Sequence, residues 1–230
     1  MQGLKDYCQE VPLQGRKKVG KKELGSSRPQ DARGCCRHKD RRRPEIRTFI
    51  AIRIPTEVKE ALRAVQESLD RGFKSVGWVR PEAVHLTLKF LGEVDDKRLE
   101  ELGSALQEAA SGIPPFSLTV EGVGGFPNQK SPRVIWAGIK ENESFAKLQR
   151  QVEEHLNAIG FEREERPFTP HLTLCRIKSI GDGKALGRLL ADIKPQIKAD
   201  FRVSSVILFK SELKKTGAEY TAMKEAALKP

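Results

Sequence analysis

Two copies of one tetrapeptide hold the residues best placed to do chemistry. His85-Leu86-Thr87-Leu88 and His171-Leu172-Thr173-Leu174 read identically and lie 86 residues apart. In an extended strand residues i and i+2 share a face, so each copy turns a His and a Thr to one side and two leucines to the other. Brought together, the copies supply two imidazoles and two hydroxyls, without a thiol or a carboxylate. Imidazole gains and loses a proton near neutral pH, and hydroxyls can donate to anionic oxygens. Such a set suits acid–base catalysis around an oxyanion. The chain has four histidines. At ordinary composition, the chance that another of them is followed by Leu-Thr-Leu is on the order of one in a thousand. His155 falls on the exposed side of a predicted helix and takes no role.

Hydrophobic periodicity supplies the elements that must present the tetrads. Residues 47–54 read as a strand ended by Pro55, and Thr56 as the N-cap of a helix carrying Val58, Leu62, Val65 and Leu69. A turn and Trp78-Val79-Arg80-Pro81 lead into the first tetrad strand, 84–91. A second helix follows from residue 95 or 96, then a strand over 116–121. The glycine-rich stretch 122–130 lacks the Gly-x-x-x-x-Gly-Lys-Ser/Thr pattern of a phosphate cradle and reads as a turn and connector. The order then repeats: strand 133–139, helix 144–159, tetrad strand 171–177, helix 183–192 and strand 201–210, with a last short strand at 219–224. The expectation is an α+β fold of two lobes. Duplicated β-α-β-α-β units would form mainly antiparallel sheets around a central cleft, with the lobes dividing near 122–131.

Composition bounds the function. The 230 residues are 38% hydrophobic and 32% charged, and no apolar run approaches the roughly 20 residues of a membrane span. The amino terminus has no apolar signal region, so a cytoplasmic protein is expected. Net charge is +11, but residues 1–44 carry 13 Lys and Arg against 5 Asp and Glu, leaving the remainder at 29 against 26. Residues 1–45 therefore read as a basic, disordered tail and 46–230 as the folded domain. A mildly basic domain suits an enzyme that meets an RNA end better than one that grips a long duplex. Cys8, Cys35 and Cys36 fall in the tail and Cys175 stands alone, a reducing-compartment pattern. Cys35-Cys36-x-His38 is half of a zinc site at most, and no metal or other cofactor is expected.

The paired motifs and their surroundings carry a resemblance. They comprise residues 47–52 (Arg-Thr-Phe-Ile-Ala-Ile), Trp78-Val79, the run 85–92 ending Lys89-Phe90-Leu91-Gly92, Phe126-Pro127, and Pro170 through Arg176. With two His-x-Thr-x motifs a lobe apart, residues 46–226 resemble the RNA 2′,3′-cyclic phosphodiesterase, or 2′-5′ RNA ligase, branch of the two-histidine phosphoesterase superfamily. The resemblance implies a monomeric hydrolase acting on RNA ends or cyclic nucleotides. In it His85 would be the proton donor to the departing 3′ oxygen and His171 the proton acceptor that activates water. The residues alone fix the pair rather than this division of labour. Thr87 and Thr173 would hold the phosphate oxygens.

The resemblance also implicates the residues five past each histidine, Phe90 and Arg176. An odd offset puts Phe90 on the opposite strand face from His85, so it reaches a substrate only if the strand bends or ends there. Trp78 and Trp136 read as core residues rather than stacking platforms. With an ordinary imidazole pKa near 6.5, charged and neutral histidines would coexist at neutral pH. The same set of residues could instead join a cyclic phosphate end to a 5′-hydroxyl as a 2′-5′ bond, or bind RNA ends without catalysis.

Overall fold

Nine strands and four helices alternate along the residues described in the computed structural model, 45–214 and 217–230. The basic clusters of residues 1–44 and the Cys35-Cys36-x-His38 group lie outside the described residues. The first half contains β1 (Glu45–Arg53), α1 (Thr56–Leu69), β2 (Val76–Trp78), β3 (His85–Asp95), α2 (Leu99–Ala110) and β4 (Phe116–Phe126). The second contains β5 (Val134–Ile139), α3 (Glu143–Ala158), β6 (His171–Ile177), α4 (Ile180–Ile193), β7 (Lys198–Val203), β8 (Ser205–Lys214) and β9 (Gly217–Ala227). The class is α+β, as the periodicity predicts. No described helix is long and apolar enough to cross a membrane.

Two antiparallel sheets form, with strand orders β3-β1-β8-β9 and β2-β6-β5-β4-β7. The four strands of the first answer to β6-β5-β4-β7 of the second, with β2 added at the edge. Each sheet draws on both halves of the chain, since β4 joins β5 and β6 while β8 and β9 join β1 and β3. Helix packing crosses in the same way: α1 touches β6, and α3 touches β3. The tetrad leucines Leu86, Leu88, Leu172 and Leu174 are buried in the main core with Ile50, Ile52, Leu62 and Leu148. Each buried leucine contributes about 1.5–3 kcal/mol. A smaller cluster of Phe49, Ala51, Ile207 and Phe209 covers the opposite face of the first sheet.

Three local expectations change. Thr56 is the first helical residue rather than a cap, because Pro55 occupies the N-cap position. The stretch read as one strand over 201–210 is two strands in different sheets, parted at Ser204. The buried residues shift phase there, from Phe201 and Val203 to Val206 and Leu208, and a strand cannot keep both pairs on one face. The glycine stretch is not all connector, since β4 continues through Phe126.

The cause of that continuation is steric. Gly124 lies opposite Trp136 in β5, and a Cβ there would come within 2.4 Å of the indole ring. Glycine lets the ring lie across the strand. Gly124→Ala is therefore expected to destabilise the protein by about 1–3 kcal/mol through overpacking against a rigid ring. Urea unfolding measures this, and a midpoint equal to wild type would show that the indole is free to move aside.

Candidate active site

The tetrads sit on β3 and β6, whose Cα atoms approach within 8 Å of each other. Burial alternates as the tetrapeptide requires: His85, Thr87, His171 and Thr173 are half-buried, and the leucines between them are buried. The alternation then breaks in both strands at the same place. In β3, Thr87 pairs with Ala51 and Lys89 with the adjacent Ile50, leaving Leu88 as an extra residue. In β6, Thr173 pairs with Trp136 and Cys175 with the adjacent Ile135, leaving Leu174 extra. The second leucine of each tetrad is thus a β-bulge, which shifts the following residues to the other face.

This bulge is a bend of the kind that would bring Phe90 to the face of His85. Phe90 is 54% exposed and lies 5.9 Å from Phe49, the ring that also packs against His85. Arg176, the matching residue of β6, is exposed on its strand. Its guanidinium lowers the proton affinity of both His85 and His171, so the two imidazoles share one electrostatic neighbourhood. The structure therefore gathers the two histidines and Arg176, with Phe90 on the face of His85.

Each imidazole is oriented by the same device. The Nδ1 of His85 is 2.9 Å from the Ala83 carbonyl, and that of His171 is 2.8 Å from the Thr169 carbonyl, each two residues upstream. A carbonyl only accepts, so Nδ1–H donates and Nε2 is left to exchange protons. Aromatic rings hold the planes. Phe49 lies 4.5 Å from His85 and Tyr220 meets it edge-on at 4.9 Å. Phe126 meets His171 edge-on at 5.1 Å, with Trp136 at 6.4 Å. Trp136 is thus beside the site rather than in the main core, whereas Trp78 packs against that core.

Electrostatics corrects the expectation of coexisting charge states. Burial lowers the His85 pKa to about 4, against the Ala83 bond, and Arg176 adds to the fall. His171 is lowered for the same reasons, burial first, with Thr169 opposing. Both imidazoles are therefore neutral at pH 7 in the free protein. Cys175 offers no competing nucleophile, because burial pushes its thiol up to about 12. His155 bonds Glu108 on α2, away from the tetrads. Among the described residues, no group of three or more His, Cys, Asp or Glu could hold a metal ion.

Several residues of this arrangement carry no motif of their own. Tyr220 comes from a strand more than a hundred residues after His85, and only the pairing of β9 with β8 beside β1 brings it there. Lys89, a charged residue next to Phe90, is turned inward by the bulge to 7% exposure. Nothing in the first tetrad strand signals this, because Leu88-Lys89-Phe90 continues the polar–apolar alternation; only Leu174-Cys175-Arg176 of the second breaks it.

The profile of a family described as "LigT like Phosphoesterase" matches residues 52–136 and 138–220. Among curated proteins, the RNA 2′,3′-cyclic phosphodiesterase of Thermotoga maritima is 38% identical over 182 residues, covering 78% of this chain and 94% of its own. That of Methanothermobacter thermautotrophicus is 33% identical over 179 residues, covering 78% and 97%. Among solved structures, TT0787 of Thermus thermophilus superposes with a TM-score of 0.66 at 31% identity, covering 80% of this chain and 98% of that one. E. coli LigT complexed with 3′-AMP superposes at 0.67 and 25% identity, covering 81% and 100%.

The lowered histidine pKa values have a stability consequence. Between pH 6.5 and about 4 the unfolded chain binds protons that folded His85 refuses. Stability from this source is complete above pH 6.5 and declines as pH falls toward 4. Urea midpoints of wild type and His85→Gln at about pH 7 and about pH 5 measure it. The wild type is expected to lose more stability on acidification than the variant; parallel losses would contradict the depressed pKa.

Proposed function

The chain belongs to the LigT-like phosphoesterase family, and from that premise we propose that it hydrolyses RNA 2′,3′-cyclic phosphate ends to 2′-phosphomonoesters. The observation that carries this reading is the pair of imidazoles on β3 and β6, each with Nδ1 held by a carbonyl and Nε2 left to work, beside one shared arginine. The names of the curated relatives and the 3′-AMP complex of E. coli LigT support the substrate class.

In-line attack on the cyclic phosphorus needs a base on the water and an acid on the departing 3′ oxygen, on opposite sides of the phosphorus. His171 takes the proton from water at Nε2, and His85 delivers one from Nε2 to the 3′ oxygen. The P–O3′ bond breaks as the bond to water forms, leaving the phosphate on O2′. Each proton carrier contributes on the order of 10²–10⁴-fold. Thr87, Thr173 and Arg176 hold the non-bridging oxygens, where charge is concentrated in the transition state. The exposed ring of Phe90 stacks on the terminal base.

His85 must be protonated to act, although it is neutral in the free protein at pH 7. The phosphate anion supplies the missing stabilisation, because a negative charge beside an imidazole favours its charged form. The pH dependence follows with a definite sign. The optimum of kcat/KM, which reports the free enzyme, lies below 6.5, and that of kcat, which reports the complex, lies at higher pH than the kcat/KM optimum.

Turnover of a 2′,3′-cyclic nucleotide with product analysis by phosphorus NMR tests the reading. A 2′-phosphate is the expected product, and His85→Ala and His171→Ala each reduce kcat by at least about 10²-fold in a folded protein. A chelator leaves the wild-type rate unchanged. A 3′-phosphate product, near-wild-type rates in both variants or inhibition by the chelator would each refute the mechanism.

A further inference from the structure

Under each bulge lies a polar side chain that belongs to a helix of the other half, buried Gln66 in one case and partly buried Glu153 in the other. The helices correspond at an offset of 87 residues, at which buried Val58, Val65 and Leu69 of α1 match Phe145, Val152 and Leu156 of α3. The same offset carries Gln66 onto Glu153. Gln66 is 7% exposed, and its Nε2 donates to the carbonyls of Val79 and Leu174, both at 2.8 Å. Leu174 is the bulged residue of β6. Glu153 accepts at 2.6 Å from Nζ of Lys89, which directly follows the bulged Leu88 of β3. Lys89 Nζ also donates at 2.6 Å to the carbonyl of Glu162, in the segment that leads to Thr169 and His171.

Stability alone does not account for these groups. The residue of β6 that corresponds to Lys89 is Cys175, fully buried and uncharged, so the fold accepts an apolar side chain at that place. Replacing a buried ion pair by well-packed apolar residues is often neutral or stabilising. What the polar groups add is directional: they tie backbone to backbone across the two halves, next to the residues that the bulges turn into the site.

We propose that Gln66 and the Glu153–Lys89 pair are positioning residues, each fixing a bulge from the opposite half and thereby setting where Arg176, Phe90 and the His171 segment stand. The proposal rests on the phosphodiesterase reading above and deepens it. Gln66 holds the Leu174 carbonyl, two residues from Arg176. Lys89 joins the strand of His85 to the segment that precedes His171. A misplacement of about 1 Å in such a frame can lower a rate on the order of a hundredfold.

The test uses the full chain with Gln66→Met, the double variant Lys89→Met/Glu153→Leu, and Glu153→Gln. Three quantities are read: kcat and KM on a 2′,3′-cyclic nucleotide, the urea midpoint, and the histidine titrations by NMR without substrate. Gln66→Met and the double variant are expected to remain folded and to lose roughly ten- to a hundredfold in kcat/KM. At least one site imidazole titrates closer to its ordinary pKa as Arg176 moves. Glu153→Gln still accepts from Lys89 and is expected to keep kcat/KM and the titrations near wild type, at a lower urea midpoint because the ammonium loses its counter-charge. Gln66→Met and double variants that unfold more easily yet keep wild-type kcat/KM and titrations would overturn the proposal. The two arms are independent, so if one variant fails to fold the other decides. A wild type that does not turn over the nucleotide refutes the functional reading, while the substrate-free titrations still judge the positioning one.

Discussion

A strand offers every second residue to one face, yet on each tetrad strand His, Thr and the residue five past the His stand on one side although separated by an odd number. That conflict is resolved by one extra residue in each tetrad strand. The bulges at Leu88 and Leu174 let His85, Thr87 and Phe90 share a face, and they do the same for His171, Thr173 and Arg176. They also turn Lys89 and Cys175 inward, which a regular strand would not do. The leucines anchor the strands in the core while their local irregularity decides which residues stand on the face of the histidines. Packing and site geometry are therefore set by the same four residues.

Around that geometry the protein keeps its imidazoles neutral. Burial disfavours their charged forms, a nearby guanidinium adds to it, and the carbonyl bonds to Nδ1 only partly oppose both. The same guanidinium acts on both imidazoles, so their proton affinities are coupled to one charge. The aromatic rings on either side exclude water from the flanks of each imidazole and restrict its rotation.

Much of this was legible in the sequence, for identifiable reasons. The tetrads carry both their chemistry and their burial in four letters, and the helices announce themselves through three- and four-residue spacing of Val58, Leu62, Phe145 and Leu148. The parting of β7 and β8 was written in the phase of Phe201, Val203, Val206 and Leu208, but a short apolar run hides such a slip. Gly124 looked like a turn because its reason is a ring from another strand. The bulges were less accessible still, because they depend on register against β1 and β5, which a single strand does not encode. Tyr220 and Gln66 owe their places to pairings across the whole chain, where local pattern has no reach.

The exchange of strands between the sheets bears on how such a molecule could arise. A half ending at β4 would hold β1 and β3 as a two-stranded ribbon, with one edge of β1 open and β4 without a sheet. Two identical halves, each lending its last strand to the other, would close both gaps at once and reproduce the crossed packing of α1 and α3. The fused chain thus has the architecture of a swapped dimer whose subunits have become covalently continuous. The equivalent strands β3 and β6, which approach each other, lie where the symmetry axis of that dimer would run. Fusion frees the two sides to differ, which is why Phe90 can correspond to Arg176 and Lys89 to Cys175.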